Sequence, residues 1–475
     1  PQMRDTNHAL NALPSLSAIA GTNSACIGST TILTNTTSGG VWTSSAPSTA
    51  TVNSITGEVT GVAAGTATIT YTYTNSNGCT SAVSTTVTIN SAPSVASITG
   101  TTAVCTGSTT TLSSTTASGV WTSSNTAVAT IDASTGVVTG VTAGTSTITY
   151  TVTVGGCTNS TTAVVTVNAL PTATITTIGA TTFCAGGSVS LVGPSAPAGM
   201  TYSYQWNLGG TAISGATSSS YTANAAGSYT LTVTNNNGCT STSAATVVTV
   251  NALPTVAAIT GTTSVCEGSS VTVANATTGG TWSSSNTATA IVNSSTGSVT
   301  GVSAGTATIT YTYTNSNNCT NTATAVVTVN ALPTPAITAG GTTTFCSGGS
   351  VTLTASTGSS YQWNLNGAAI TGSTSATYTA NATGNYSVTV TNANGCSATS
   401  AATAVLVNNL PTATITAGGA TTFCAGSSVS LSANSGTGLT YQWSNGANTD
   451  HNTTLTAGTY YVQITDANGC TAEGT

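Results

Sequence analysis

The chain has 475 residues, and only 2% of them are Asp, Glu, Lys or Arg, whereas charged residues make up roughly a quarter of a typical soluble domain. Arg4 is the single Lys or Arg, so the clustered positive charge that binds nucleic acid or an anionic membrane surface is excluded. The sequence has no run of about 18 apolar residues and predicts no membrane span. Its apolar fraction of 39%, rich in Val and Ile that alternate with Thr, indicates strands rather than disorder.

The spacing of cysteine and tryptophan divides the chain into six repeated units. Two cysteines lie 46–55 residues apart in each unit and enclose one Trp, and successive pairs begin 78–82 residues later. The pairs are Cys26 and Cys79, Cys105 and Cys157, Cys184 and Cys239, Cys266 and Cys319, Cys346 and Cys396, and Cys424 and Cys470. The tryptophans are Trp42, Trp121, Trp206, Trp282, Trp363 and Trp443. A repeat of this length predicts one small domain per unit.

A short junction motif separates the units. It reads Asn-Ala-Leu-Pro at 11–14, 168–171, 251–254 and 330–333, with variants at 90–93 and 408–411. The predicted units are 15–93, 94–171, 172–254, 255–333, 334–411 and 412–475, preceded by an end segment, 1–14. Because the linkers are short, we expect a semi-rigid array.

The sixth unit lacks the strand that precedes the junction motif elsewhere, such as 163–167 or 403–407. Two explanations remain open. Either the chain is a window from a longer array, or residues 1–14 of one copy complete the sixth unit of the next by strand donation. In the second explanation Leu10 matches an inward apolar position, but His8 stands where other copies have an inward Val.

Within a unit the apolar pattern has period two. In TATITYTY (66–73) one face carries Ala67, Ile69, Tyr71 and Tyr73, and the other carries threonines, which predicts half-buried antiparallel strands. Asn-Gly turns recur at 77–78, 237–238, 394–395 and 468–469, and no segment has a helical stripe. Short strands around one core Trp predict an immunoglobulin-like β-sandwich per unit. The predicted fold class is therefore all-β, with six tandem sandwiches in an elongated rod.

Two kinds of unit are present. Units one, two and four carry VWTSSAPSTATVNSITGEVTGVAAGTATITY (41–71) or its relatives at 120–150 and 281–311, which closely resembles the bacterial Ig-like group 2 domains found in tandem on cell-surface proteins. Units three, five and six carry YQWN or YQWS and then segments such as GSYTLTVTNNNGC (227–239). These resemble the PKD-like and Ig-like repeats of very large secreted adhesins of Bacteroidota. The resemblance implies an extracellular or cell-surface location and a role as a spacer or adhesin stalk.

The cysteines admit a metal or a disulfide interpretation. Zinc needs four ligands at close spacing, but no unit has more than two Cys and the chain has only two His. An even count with one pair per unit favours disulfides in an oxidising exterior. We therefore expect all twelve cysteines to be bonded, each pair within its own unit, at the end of the domain rather than across its core.

No constellation for catalysis is apparent. The carboxylates fall singly at different places, and copies of the same loop lack them; they are Asp5, Glu58, Asp132, Glu267, Asp450, Asp466 and Glu473. The dipeptide Asp450-His451 is the sharpest candidate for a base or a metal ligand, and we interpret it as a polar loop between strands. The six tryptophans are interpreted as core residues rather than sugar platforms. We predict no catalytic residue, no metal, no cofactor and no enzyme activity.

The predicted function is structural and adhesive. A disulfide-stapled rod of Ig-like domains would form part of a surface adhesin stalk or a self-assembling extracellular filament. Strand edges almost without charge favour association with other copies, end to end or side by side, or with flanking domains of a longer chain. The alternative is a glycan-binding array, which needs exposed aromatic residues beyond the core Trp; the candidates are Tyr202, Tyr204, Tyr460 and Tyr461.

Overall fold

The computed structural model describes residues 10–454 and 456–475, so the predictions on residues 1–9 lie outside the described part. The regular secondary structure of the described residues consists of β-strands. The chain divides into two compact units, residues 1–250 and 251–475, and each contains three β-sandwiches, named here domains 1–3 and domains 4–6. The predicted all-β fold of six tandem Ig-like sandwiches is confirmed. No helix long and apolar enough to cross a membrane occurs among the described residues.

Domain 1 shows how the period-two pattern becomes a sandwich. Its strands are β1 (Ala20–Gly21), β2 (Ser24–Cys26), β3 (Thr30–Thr34), β4 (Val41–Ser44), β5 (Ala50–Val52), β6 (Glu58–Gly61), β7 (Gly65–Thr74) and β8 (Thr80–Asn90). One sheet has the order β1-β3-β6-β5 and the other β2-β8-β7-β4. Along β7 the side chains of Ala67, Ile69 and Tyr71 are buried, and they pack with Leu33 and Trp42 between the sheets.

Domain 2 repeats this arrangement. Its strands are β9 (Thr99–Gly100), β10 (Ala103–Cys105), β11 (Thr109–Ser113), β12 (Gly119–Ser123), β13 (Ala129–Ile131), β14 (Val137–Gly140), β15 (Gly144–Val154) and β16 (Cys157–Asn168). The sheets are β9-β11-β14-β13 and β10-β16-β15-β12. The long hairpin of β15 and β16 is antiparallel, whereas β10 pairs in parallel with the end of β16, so that Cys105 lies opposite Asn168.

Domain 3 has a different strand set around the same kind of core. Its strands are β17 (Thr176–Ile178), β18 (Thr182–Cys184), β19 (Val189–Val192), β20 (Tyr202–Leu208), β21 (Thr211–Ala212), β22 (Ser220–Ala223), β23 (Gly227–Asn235), β24 (Thr240–Thr242) and β25 (Thr246–Asn251). The sheets are β17-β19-β22 and β18-β25-β23-β20-β21, with β24 also paired to β23. Two short strands, β25 and β24, thus pair with the beginning and the end of β23 on the same side, where domains 1 and 2 have one long strand.

The second unit begins with domain 4, which has the strand order of domains 1 and 2, and domain 5, which has that of domain 3. Domain 4 consists of β26 (Thr260–Gly261), β27 (Ser264–Cys266), β28 (Ser270–Ala274), β29 (Thr281–Ser284), β30 (Ala290–Val292), β31 (Ser298–Gly301), β32 (Gly305–Thr314) and β33 (Thr320–Asn330). Domain 5 consists of β34 (Ile337–Ala339), β35 (Thr344–Cys346), β36 (Val351–Ala355), β37 (Ser360–Leu365), β38 (Ala368–Ala369), β39 (Thr377–Ala380), β40 (Gly384–Thr391), β41 (Ser397–Thr399) and β42 (Thr403–Asn408).

Domain 6 is the smallest sandwich, with three strands in each sheet. Its strands are β43 (Ile415–Ala417), β44 (Val429–Ala433), β45 (Thr440–Trp443), β46 (His451–Thr454), β47 (Val462–Thr465) and β48 (Thr471–Gly474). The sheets are β43-β44-β46 and β45-β47-β48. By position β48 matches β24 and β41, and no strand of the described part takes the place of β25 or β42.

A glycine under the core Trp gives a test of the packing in domain 1. Gly57 has φ +75°, and an added Cβ would lie 2.3 Å from the Leu33 carbonyl oxygen and 2.9 Å from Trp42 Cε2. Gly78 has φ +80° with open space around the same position, so Gly78→Ala adds backbone strain alone, about 1–2 kcal/mol. We expect Gly57→Ala to be clearly more destabilising, because the clash adds to that strain. Hydrogen exchange of the β7 amides measures the difference, and equal protection in both variants would contradict this account.

Candidate functional site

The carboxylate of Asp132 caps a turn. The carboxylate of Asp132 accepts hydrogen bonds from Ser134 Oγ at 2.7 Å and from the Thr135 amide at 2.8 Å. These bonds, the Ser134 hydroxyl above all, hold the pKa of the exposed Asp132 well below its ordinary value. In the equivalent turns of domains 1 and 4, the amide oxygens of Asn53 and Asn293 accept the same backbone bonds. A neutral amide thus accepts the same backbone bonds, so this turn does not depend on the charge of Asp132.

The dipeptide singled out by sequence lies on the surface. His451 begins β46, and its Nε2 lies 3.9 Å from Asp450 Oδ2, with 65% and 37% of the two side chains exposed. Glu267 accepts hydrogen bonds from the Ala304 and Leu332 amides. No group of three His, Cys, Asp or Glu residues that could hold a metal occurs in residues 10–454 and 456–475. Asp5 lies outside the described residues.

The aromatic residues are mainly internal. All six tryptophans are buried, with at most 7% exposure: Trp42, Trp121, Trp206, Trp282, Trp363 and Trp443. Tyr202 and Tyr204 pack against the core of domain 3, and Tyr460 packs against that of domain 6. Bonds with the Thr454 hydroxyl, and secondarily the Thr456 hydroxyl, lower the pKa of Tyr460 from its ordinary value. Tyr461, at 45%, is the one aromatic residue among the strongly exposed large hydrophobic side chains that are described.

The disulfides link successive domains. In the first unit Cys26 bonds to Cys157 and Cys105 bonds to Cys239, with Cα–Cα distances of 5.7 and 5.6 Å. The second unit contains the bonds Cys266–Cys396 and Cys346–Cys470. Each of these four bonds joins the first cysteine of one domain to the second cysteine of the next. The predicted pairing within each domain is therefore wrong for these cysteines. Cys184 and Cys319 are also disulfide-bonded. Cys79 and Cys424 carry thiols, so the prediction that all twelve cysteines are bonded is wrong for these two.

Strand length explains why pairing within a domain fails. Cys157 is the first residue of the twelve-residue strand β16, whereas Cys105 lies beside its last residue, Asn168. At about 3.3 Å per residue the two cysteines of domain 2 are roughly 35 Å apart, far beyond the reach of a disulfide. Cys105 instead lies where the chain leaves the domain, and Cys239 of domain 3 faces that point, with its Sγ 4.0 Å from the Asn168 carbonyl oxygen.

An asparagine beside the second cysteine fastens the junction. The side-chain oxygen of Asn235 accepts from the Cys239 amide at 3.0 Å, and its Nδ2 donates to the Ala169 carbonyl oxygen of the junction motif at 3.0 Å. Asn392 makes the same pair of bonds with Cys396 and Ala331 in the second unit. Sequence reasoning treated these Asn-Gly-Cys loops only as turns. The repeated Asn two residues before the Asn-Gly pair was the signal that could have indicated a second role.

Three segments of the chain match the bacterial Ig-like domain (group 2) family: residues 27–84, 83–165 and 246–323. They lie mainly in domains 1, 2 and 4, and they confirm the resemblance seen in the sequence of those domains. No curated protein matches this chain.

Solved structures that share similarity are multi-domain ectodomains and an adhesin. The eight N-terminal Ig domains of Down Syndrome Cell Adhesion Molecule are 12% identical, cover 97% of this chain and 73% of that one, and give a TM-score of 0.22. The ICAM-5 D1–D4 ectodomain fragment is 11% identical, covers 66% and 99%, and gives 0.28. A Ca²⁺-stabilised adhesin that helps an Antarctic bacterium bind ice is 15% identical, covers 64% and 98%, and gives 0.23. At these TM-scores the similarity supports no further conclusion about this chain.

The disulfide pattern makes a direct prediction for a single substitution. Cys157→Ser should release the thiol of Cys26 in domain 1, whereas pairing within domain 2 would release Cys105. Thiols are alkylated before reduction, and the labelled peptides are identified by mass spectrometry after digestion with a protease that cleaves at aromatic residues. In the unsubstituted chain only Cys79 and Cys424 should be labelled. As a control, Cys105→Ser should release Cys239; labelling of Cys157 in that variant would contradict the structure.

Proposed function

Because three segments of this chain match the bacterial Ig-like (group 2) domain family, we propose that it is an extracellular structural protein, part of a surface adhesin stalk or of a filament. The observation that carries the proposal is the bonding of successive domains within each unit. Disulfides persist in oxidising environments, so this bonding supports a location outside the cell.

The bonds supply continuity under load. Cys105 lies inside the 131-residue separation spanned by Cys26–Cys157, and its own bond to Cys239 reaches beyond it, so the two covalent loops overlap. The same overlap occurs between Cys266–Cys396 and Cys346–Cys470. If one domain of such a pair unfolds under tension, the covalent loop still limits how far its chain can be drawn out. A protein that holds an adhesive tip away from a surface, or that carries force along a filament, benefits from this limit.

Surface chemistry supports the same proposal. The net charge of −6 is spread over 475 residues, and the outer strand faces carry hydroxyls that bond across the sheet, such as Thr70 with Ser84 at 2.9 Å and Thr232 with Thr242 at 3.2 Å. The carboxylates that cap turns in some domains are replaced by Asn in others. These features fit a structural element better than a catalyst.

Single-molecule stretching tests the mechanical role. The oxidised chain, held by its two ends, should extend less than the same chain after reduction. The difference should be at least the length hidden by one loop, roughly 430 Å for the 131 residues between Cys26 and Cys157 at about 3.3 Å per residue. Cys79→Ser should leave both extensions unchanged, because Cys79 forms no bond within the chain. Equal extension before and after reduction would rule out the proposed role of the bonds.

A further inference from the structure

Domain 6 has an open groove beside one of the two thiols. The groove has a volume of about 690 Å³, and its floor is formed by Ile415, Val429 and Leu431. Residues 421–425, which include Cys424, line one side, and Gly458 and Tyr460 line the other. The segments 422–424 and 458–460 belong to no strand. Their backbone groups are therefore unpaired by any sheet of this domain.

In domains 3 and 5 a strand fills this place. β42 of domain 5 runs antiparallel to the start of β40, and it pairs in parallel with β35, so that Cys346 lies opposite Asn408. The strand carries a buried valine, Val405 in domain 5 and Val248 in domain 3, each 2% exposed. With the strand in place, the floor residues Val189 and Leu191 of domain 3 are 1% and 0% exposed.

In domain 6 the floor is more open, with Val429 at 7% and Leu431 at 8% exposure. The occupant that fits the groove is therefore a β-strand that ends opposite Cys424, as β42 ends at Asn408 opposite Cys346.

The two thiols occupy complementary positions of the repeat. Cys424 is the first cysteine of its domain, and the equivalent Cys346 bonds to the second cysteine of the following domain. Cys79 is the second cysteine of its domain, and the equivalent Cys157 bonds to the first cysteine of the preceding domain. The only two thiols of the described chain are thus one of each kind, and a bond between them would repeat the pattern that the other domains show.

Domain 1 contacts the junction motif that precedes it, residues 11–14, as later domains contact theirs. The Sγ of Cys79 lies 3.6 Å from the Asn11 carbonyl oxygen, as the Sγ of Cys157 lies 3.5 Å from that of Asn90. Asn75 Nδ2 donates to the Ala12 carbonyl oxygen at 3.3 Å, which is the bond that Asn235 and Asn392 make at their junctions. Domain 1 is therefore arranged as a domain that follows another one.

The residue before this junction, Leu10, is apolar but packs against no sheet of domain 1. Leu10 is 99% exposed, whereas Val250 and Val407, which stand one residue before the junction Asn in the two complete domains of the same kind as domain 6, are partly buried and pack against the core. A side chain that would point inward in a strand is thus exposed to solvent ahead of domain 1, while a sheet of domain 6 has room for one more strand. The two features complete each other only if they belong to different copies or to different parts of a repeated array.

We propose that two copies of this chain join head to tail. Residues 6–11 of one copy enter the domain 6 groove of the other as its last strand, with Asn11 opposite Cys424, and Cys424 then forms a disulfide with Cys79 of the entering copy. The second copy is thus the partner that builds the filament proposed above, on which this inference rests. Failure of this assembly would leave the stretching result, and with it the stalk role, unaffected.

The bond requires an oxidant, and a small-molecule disulfide such as oxidised glutathione supplies it. The Cys424 thiol loses its proton, and its thiolate attacks one sulfur of the oxidant and releases one thiol. The Cys79 thiolate then attacks the Cys424 sulfur of this mixed disulfide and releases the second thiol. Two protein thiols are oxidised to one disulfide, one small disulfide is reduced to two thiols, and these carry the two protons.

The first experiment uses two single substitutions in the full chain. Cys79→Ser keeps Cys424, and Cys424→Ser keeps Cys79. With oxidised glutathione and denaturing, non-reducing electrophoresis, the unsubstituted chain should give a ladder of multimers, each variant alone should stay monomeric, and an equal mixture should stop at dimers. Mass spectrometry should find the Cys79–Cys424 bond in the dimer band. Absence of dimers in the mixture, or equal dimer formation by one variant alone, would overturn the proposal.

The second experiment tests the strand. Leu10→Asp, placed in the copy that carries Cys79, should abolish dimers in the mixture, because the side chain would enter the apolar groove. Since Leu10 is 99% exposed, this change leaves the core of domain 1 intact, and Ile55→Asp, at an 85% exposed position of the same domain, is the matched control. His8→Val restores the inward Val of the other copies and should raise the dimer yield. Equal dimer formation by Leu10→Asp and Ile55→Asp would refute strand entry.

Discussion

The parallel pairing of a three-residue strand with the end of a later strand sets the organisation of the domains. In domain 2, β10 pairs with the last three residues of β16, and in domain 5, β35 pairs with the end of β42. This pairing places the first cysteine beside the Asn at which the chain leaves the domain. Bonding to the next domain follows from it, because the partner within the same domain lies a full strand length away.

Two kinds of domain share this junction although their sheets differ. Domains 2 and 4 end in one long strand, whereas domains 3 and 5 divide the same edge between two shorter strands. Both kinds have a long strand that begins with a glycine, such as Gly144 of β15 or Gly227 of β23, and the second cysteine follows the loop after this strand. In both kinds that cysteine bonds to the preceding domain. The junction therefore does not depend on which kind of sheet precedes it, which allows domains of both kinds to be joined in one chain.

The sequence predicted the fold well because its signals were local. Alternation in segments such as 66–73, and one Trp per repeat, required only the period of a strand and the burial of large rings. The disulfide partners could not be found in the same way. The units repeat every 78–82 residues, and each has a first and a second cysteine. The number and spacing of the cysteines are therefore equally compatible with disulfides inside one unit and with disulfides between neighbouring units. Only the length of β16 and the parallel position of β10 decide between them, and both are properties of the assembled sheet.

Within each unit the disulfide is the constant part of the junction, and the hydrogen bonds around it vary. Domain 2 has Gly155 in place of the asparagine loop, and there Asn90 of the junction donates to the Gly155 carbonyl oxygen at 3.0 Å, which reverses the direction of the bond made at this loop, while Asn159 of β16 donates to the Pro93 carbonyl oxygen of the junction at 2.9 Å. In domain 6 the loop residue is Asp466, which caps the Cys470 amide at 2.8 Å but has no amide hydrogen to offer the junction. Both domains are nevertheless bonded to the domain before them. Since the polar contacts can be reversed or lost while the covalent bond stays, the bond is the feature that fixes one domain to the next.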